Sequence, residues 1–296
     1  MTERNALLAI HLGALLFGLS GIFGKLAATT PNMIAGGRAL FAVLALSLAA
    51  LLWRSRNAIR PSLRQMALLA LGGLLLGTHW VTFFEAVKVS GVAIATLGFA
   101  SFPAFTVLLE GMLFRERTRP SEFAMVGVVC VGLILVTPQF SLNSDATVGL
   151  LWAVLSGFLF ALLSLLNRAS THGIDPVQAA LYQNLAVCAC FMPLAWPMVP
   201  GVTPLDWLWI ALLGIFCTGV AHSLFVASLA VIKARTAAVV FGMEPVYGIA
   251  VAWAVFAETP TVRMLLGGAL IIFAIVLSSR LAAEQPPRQR PLTEGA

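Results

Sequence analysis

Residues 72–116 read GGLLLGTHWVTFFEAVKVSGVAIATLGFASFPAFTVLLEGMLFRE, and residues 214–258 read GIFCTGVAHSLFVASLAVIKARTAAVVFGMEPVYGIAVAWAVFAE. A shift of 142 residues carries Gly72 onto Gly214, Gly77 onto Gly219, Phe83 onto Phe225 and Phe99 onto Phe241 without a gap. The same shift carries Pro103 onto Pro245, Phe114 onto Phe256 and Glu116 onto Glu258. Apolar stretches match by chance more readily than mixed ones. The shared proline and closing glutamate therefore argue more strongly for an internal duplication than the shared phenylalanines do.

Composition sets the solvent in which both copies fold. Charged residues make up 10% of the 296-residue chain and hydrophobic residues 60%, against roughly 25% charged in a soluble domain. A soluble chain of this length has too few polar side chains here to cover its core. In lipid, a helix satisfies its own backbone and exposes apolar side chains at no cost. The chain reads as an all-α, multi-pass membrane protein.

A membrane-crossing helix needs about 20 mostly apolar residues. Ten such runs occur, at about 5–27, 32–53, 65–87, 91–114, 121–138, 147–168, 175–197, 205–231, 234–257 and 262–281. The first is too long for a signal-peptide core and reads as a span. Residues 282–296 are proline-rich and polar and read as a disordered cytoplasmic tail. With the N-terminus inside, 14 of the 18 lysines and arginines fall on the cytoplasmic side and Lys25, Lys88 and Arg263 on the other, with Arg38 inside span two. That asymmetry orients the chain with both termini cytoplasmic.

Five spans per copy is an odd number, so the second copy enters the membrane upside down. The expected fold is ten transmembrane helices in two inverted five-helix repeats, 5–138 and 147–281, around a central cavity. Inverted repeats are a transporter architecture, because two such halves can exchange conformations about a midplane site. Weaker correspondences extend the repeat: Lys25 with Arg168 at a shift of 143, and Pro31 with Pro176 at 145, which sets Arg38 against Gln183.

These residues carry a family resemblance. Pro103 and Pro245, the Phe-x-Glu closing each of their spans (Phe114 and Glu116; Phe256 and Glu258), the glycines of the following spans (Gly127 and Gly132; Gly267 and Gly268) and Pro31 followed by Arg38 resemble the drug/metabolite transporter superfamily. The match is to its ten-span proteins built from two EamA-type repeats. The second half departs from the pattern, with Gln183 where the arginine would be. The resemblance implies a ten-helix bundle with a cavity between the halves, residence in a bacterial inner membrane and export of small metabolites. Within the superfamily the chain is similar to exporters of amino acids, including aromatic ones. Export of another small solute, such as a drug or nucleotide sugar, is the alternative.

Polar groups inside a bilayer need a reason. Thr78, Thr82 and Glu85 share one face of span three, flanked by His79 and Trp80. Trp80 and Phe83 read as an aromatic cavity wall, and His79 as a donor or a titrating group. Glu85 is expected to pair with Lys88. Thr218 and His222 echo this set in span eight. Pro103 and Pro245 cannot bond the carbonyls of Phe99 and Phe241 and read as hinges. Glu244, next to Pro245 and close to Tyr247, is expected to meet a substrate cation or carry a coupling proton; Glu110 is a second candidate. Ser20 and Gly21, with Ser164 and Asn167, sit at matching levels and are candidate lining. Gly73 and Gly77 form a GxxxG that bundle packing explains as well as dimerisation. Glu116 and Glu258 read as structural, accepting N–H groups at the start of the next helix.

The expected cavity set is therefore Ser20, His79, Trp80, Phe83, Phe99, Ser164, His222, Glu244 and Tyr247. Cys130, Cys188, Cys190 and Cys217 show no metal spacing, and neither metal nor cofactor is expected. The partners are a small-molecule substrate and the bilayer, not nucleic acid, and a monomer suffices. There is no G-x-x-x-x-G-K-[ST] loop for ATP, and no nucleophile–base motif, so an intramembrane enzyme is the weaker reading.

Overall fold

The computed structural model describes residues 2–52, 61–113, 120–137, 141–170, 174–232 apart from 230, 240 and 242–283. Among them are eleven α-helices, one short 3-10 segment, one π segment and no strand. They are α1 Glu3–Leu26, α2 Pro31–Leu52, α3 Leu63–Phe99, α4 Phe102–Leu113, α5 Pro120–Val136, α6 Asp145–Ser170 and α7 Pro176–Ala195. Then come α8 Pro204–Gly214, the π segment Ile215–Val220, α9 Ala221–Leu229, α10 Glu244–Phe256 and α11 Val262–Ala283. Six helical segments are long and apolar enough to cross a membrane, and four shorter apolar helices accompany them. Their outer faces carry exposed Leu8, Leu44, Leu48, Leu74, Trp253 and Phe273, while Arg38, His79, Gln183 and Asn184 are buried inside. An apolar exterior over a partly polar interior suits lipid rather than water.

Helix starts follow local chemistry. Ser62 and Gln65 form a capping box at α3, Thr203 and Asp206 another at α8, and Asp175 caps α7 ahead of Pro176. α3 has 37 residues, about 55 Å if straight, too long for one crossing of a core about 30 Å thick. It divides at Gly91, whose φ of 83° and ψ of 173° lie where only glycine sits without strain. The two legs correspond to the expected third span and the first part of the fourth.

Spans four and nine each have a helix start at the same place. The second leg of α3 ends at Phe99, and α4 begins at Phe102 with Pro103 in its first turn; α10 begins at Glu244 with Pro245 in its first turn. Proline fits there because its missing N–H has no partner to lose. The expected mid-helix prolines thus sit in the first turns of α4 and α10, whose starts are 142 residues apart; residues 233–239 and 241, ahead of α10, lie outside the described residues.

Contacts run between the halves of the chain. The first helix of each half packs on the fourth of the other, α1 on α10 and α6 on α4. The second of each packs on the third of the other, α2 on α8 and α7 on α3, and the fifth helices, α5 and α11, pack on each other. A Cβ on Gly267 would come 2.5 Å from the Gly132 carbonyl, and one on Gly132 would come 2.9 Å from the Gly267 carbonyl. Gly267 also meets Leu135 and Val136, Gly132 meets Ile271, and Met125 clusters with Ala274. Residue numbers rise along α5 as they fall along α11, so these two helices are antiparallel. Small residues let their backbones approach, which is how helices associate in lipid.

Candidate polar site between the halves

Arg38 is the centre of the polar interior. Its side chain leaves α2 with 4% exposure and is held on three sides. Nε donates to Thr218 Oγ1 at 2.8 Å, Nη2 donates to the Cys217 carbonyl at 3.3 Å, and the guanidinium lies 4.2 Å from the ring centre of Trp80. Phe84 stands further off, at 6.0 Å. A cation over an aromatic face gains from the ring quadrupole, more so away from water.

The π segment supplies the two oxygens. Its wider turn sends the Ala221 amide to the carbonyls of Phe216 and Thr218, passing over Cys217, the acceptor it would take in an α-helix. Arg38 occupies the Cys217 oxygen instead. Thr218 donates onward to the Leu213 carbonyl at 3.1 Å, which leaves its lone pairs for the arginine. The approach is close because Gly214 has no Cβ; one would lie 2.5 Å from the Arg38 carbonyl.

Glu244 enters from the other half as the first residue of α10, where Met243 gives no side-chain cap. A carboxylate there complements the positive end of the helix. Glu244 makes no direct salt bridge to Arg38. Gly18 fixes the backbone of α10, since a Cβ there would lie 2.9 Å from the Glu244 carbonyl and 3.1 Å from the Gly248 nitrogen. Ser20, two residues along α1, is buried beside the Cys217 thiol without a well-formed hydrogen bond.

The other expected lining residues separate into groups. His79, Phe83 and Phe99 form an aromatic cluster with Phe102 and Phe160. His79 Nδ1 is 2.7 Å from Ser156 Oγ, and that hydroxyl donates to the His79 carbonyl at 3.1 Å, a reciprocal clasp between α3 and α6. His222 lies instead beside Asp175 and Pro176 at the start of α7, with its Nε2 buried and unpartnered. The two histidines therefore do not share one chamber. Ser164 donates to the Phe160 carbonyl of its own helix at 2.8 Å. Tyr247 bonds His11 Nδ1 through its hydroxyl at 2.9 Å, on the α1 side of α10. Of the expected set, Trp80 packs against Arg38.

Several sequence expectations are corrected. Lys88 forms no ion pair with Glu85; its ammonium donates to the Ala27 carbonyl, which closes the α1–α2 loop. Glu110 pairs with Arg168 rather than facing the interior site. Glu258 does accept a helix-start amide, but that of Val92, at 3.1 Å, together with the Lys25 ammonium, and not one from the helix that follows it. Thr78 and Thr82 bond back to carbonyls of their own helix. Gly73 and Gly77 pack on Gln183, Ala186 and Phe191 of α7, which resolves the GxxxG as internal packing. Glu116, Phe114 and Phe241 lie outside the described residues.

Arg38 is the residue that sequence reasoning passed over. The signal was present: one arginine in an otherwise apolar span is costly unless it is used. Its counterpart Gln183 is also buried and donates to Asn167 Oδ1 at 2.6 Å. Thr218, expected to act with His222, is a partner of Arg38.

Comparison with known proteins places the chain. The family model described as the EamA-like transporter family matches twice, over residues 4–137 and 147–280. An uncharacterized transporter of Archaeoglobus fulgidus is 24% identical over 272 residues, covering 92% of this chain and 95% of that protein. The uncharacterized transporter YxxF of Bacillus subtilis is 21% identical over 280 residues, covering 93% and 90%. A crystal structure with 20% sequence identity shares the fold, with a TM-score of 0.66 over 95% of this chain and 98% of that one. Two matches covering nearly the whole chain, on an all-helical bundle with apolar outer faces, show that it belongs to the EamA-like transporter family.

Proposed function

We propose that this membrane transporter is a secondary exporter of small metabolites, amino acids with large or aromatic side chains foremost, working by alternating access. The carrying observation is Arg38 of α2, buried inside an apolar bundle, stacked on Trp80 and held across the halves by the neutral oxygens of Thr218 and Cys217. Buried charges at such depth are expensive and belong to substrate or ion pathways.

Ten spans in two inverted five-helix units, 5–138 and 147–281, complete the reading. The antiparallel packing of α5 and α11, the exchange of contacts between halves and the matching helix starts at Phe102 and Glu244 support it. The excess of lysine and arginine in alternate loops favours cytoplasmic termini, and the membrane we assign is a bacterial inner membrane. Rocking of one half against the other would expose the Arg38 region to each side in turn. Drive comes from an ion gradient or the solute's own gradient, and a monomer is sufficient.

The test is flux in liposomes that hold only this protein, with labelled amino acids, sugars and nucleotide sugars supplied in parallel. Amino-acid flux above that of empty vesicles is the expected outcome. Flux of sugars or nucleotide sugars alone would overturn the substrate class, and no flux of any solute would overturn secondary transport.

A further inference from the structure

We infer that two repeat-related ion pairs, Lys25 with Glu258 and Arg168 with Glu110, are the latches that shut the two ends of the bundle in turn. This rests on the transporter reading and specifies what closes each end.

The pairs are equivalent by position. Lys25 lies in the last turn of α1 and Arg168 in the last turn of α6, the first helices of the two halves. A shift of 143 carries one onto the other. Each meets a carboxylate from the fourth helix of the opposite half: Lys25 meets Glu258, in the turn after α10, and Arg168 meets Glu110 on α4. The helices that carry them pack together, α1 on α10 and α6 on α4. The loop charges assign the Lys25 end to the outside and the Arg168 end to the cytoplasm. Both pairs therefore cross the seam between the halves, one at each face. All four side chains are partly exposed, so water can replace either partner when the seam opens, and such pairs hold only weakly. That strength suits a contact that must part on every cycle.

The outer latch has more parts. The second oxygen of Glu258 accepts the Val92 amide at 3.1 Å, next to Gly91, where α3 divides. Asp206, also from the second half, accepts the Ala28 amide on Oδ1 at 2.7 Å, while its Oδ2 accepts the Thr203 N–H at 3.0 Å and the Thr203 hydroxyl at 2.7 Å. Two carboxylates of the second half thus each hold a backbone amide of the first. Phe23 and Trp209 stack across the same seam at 5.9 Å, less than one helical turn further in than Lys25 and Asp206. An outward-open state parts these contacts and keeps the Arg168–Glu110 pair; an inward-open state does the reverse. Removing one latch therefore penalises the states in which that end is shut, and the population moves the other way.

The experiment reads outer opening directly. The full chain carries Trp209→Cys as a reporter, in lipid nanodiscs that leave both faces open to a membrane-impermeant maleimide. The reaction of the native cysteines is measured without the reporter and subtracted. Glu258→Ala should speed reporter labelling at least about threefold, Glu110→Ala should slow it by a similar factor, and the double variant should return to within about twofold of the starting rate. A merely structural role loosens the bundle in both single variants, so faster labelling in both overturns the proposal, as do unchanged rates in both. If Trp209→Cys is not monodisperse, Phe23→Cys, the other side of the stack, replaces it. If Glu258→Ala is not, Glu258→Gln replaces it and should give a smaller shift of the same sign. Liposome flux of the wild type is run alongside. Flux with both shifts in one direction overturns the latches and leaves the transporter standing, whereas opposite shifts without flux of any solute uphold the latches and overturn transport.

Discussion

Glu258, in the turn after α10, accepts the Val92 amide at 3.1 Å and the Lys25 ammonium through its two oxygens. One carboxylate thus joins the end of α1, the start of the second leg of α3 and the end of α10. The amide is at a helix N-terminus, where an anion is favoured by both the free N–H and the helix dipole. Lys25 also lies 4.7 Å from the ring centre of Phe256.

Removing this carboxylate should loosen that end of the bundle. Glu258→Ala is expected to lower stability by about 1–3 kcal/mol, because the Val92 N–H then lacks its partner. Glu258→Gln should cost less, since the amide oxygen still accepts that N–H. Lys25→Ala should cost least, as the Lys25 side chain is 33% exposed and exposed pairs contribute only about 0–1 kcal/mol. Thermal unfolding in detergent measures the order. A Lys25→Ala loss as large as that of Glu258→Ala would contradict the assignment of the main energy to the amide.

Two backbone sites should respond with opposite signs. Ala257 ends α10 in the left-handed region, at φ 55° and ψ 28°, where a Cβ costs about 1–2 kcal/mol. Ala257→Gly should therefore raise the unfolding temperature. Gly91, at φ 83°, should lose about 1–3 kcal/mol on change to alanine, and the new Cβ would also press on the Glu258 carboxylate at 3.1–3.3 Å. Unfolding of the two single variants side by side tests both, and a stabilised Gly91→Ala protein would refute the strain argument.

His79 is a fastener of α3 to α6. Ser156 is fully buried, and its hydroxyl serves both the His79 ring and the His79 carbonyl. Ser156→Ala should cost about 1–3 kcal/mol through the groups left unbonded, while leaving the ranking of transported solutes unchanged. Measuring unfolding and a competition series on the same variant separates the two effects. A changed ranking at wild-type stability would return His79 to the solute-contacting group.

The antiparallel pair α5 and α11 gives a last case. Gly267→Ala would set a Cβ 2.5 Å from the Gly132 carbonyl and 3.1 Å from Leu135 Cβ, an overpacking expected to cost about 1–3 kcal/mol. Gly127→Ala is the control, because nothing lies within 4 Å of its Cβ position and alanine is the better helix former. Unfolding of both in one detergent should show a loss for the first and none for the second.

Much of the scaffold was legible because membrane helices announce themselves by run length. The starts at Pro31, Pro120, Pro176 and Pro204 lie within a residue or so of the boundaries read from apolar runs. Breaks inside spans were harder to read. Pro103 and Pro245 suggested bends, whereas each lies in the first turn of a helix. Gly91 stands at the first position of the expected fourth span, where it lets 37 residues form one broken rod.

The candidate site was half legible. Trp80 and Glu244 stand out by type and depth, so sequence could nominate them. It could not say that His79 and His222 part company, because helical phase fixes which face a residue occupies and not which neighbour that face meets. Arg38 shows the same limit from the other side: its cost in lipid was readable, but its partners Thr218 and Cys217 are about 180 residues away and become partners only when α2 crosses the end of α8 at Gly214.

The sequence alone determined the solvent, the apolar spans and the duplication, since these follow from composition, run length and register, which are properties of neighbours along the chain. The tertiary structure alone decided which charges face each other. Glu258 reaches Val92 and Lys25, Lys88 reaches the Ala27 carbonyl, and Arg38 reaches Thr218 and the Cys217 carbonyl. Each of these depends on how closely two helices from distant parts of the chain can approach, and that is set by the small side chains packed between them.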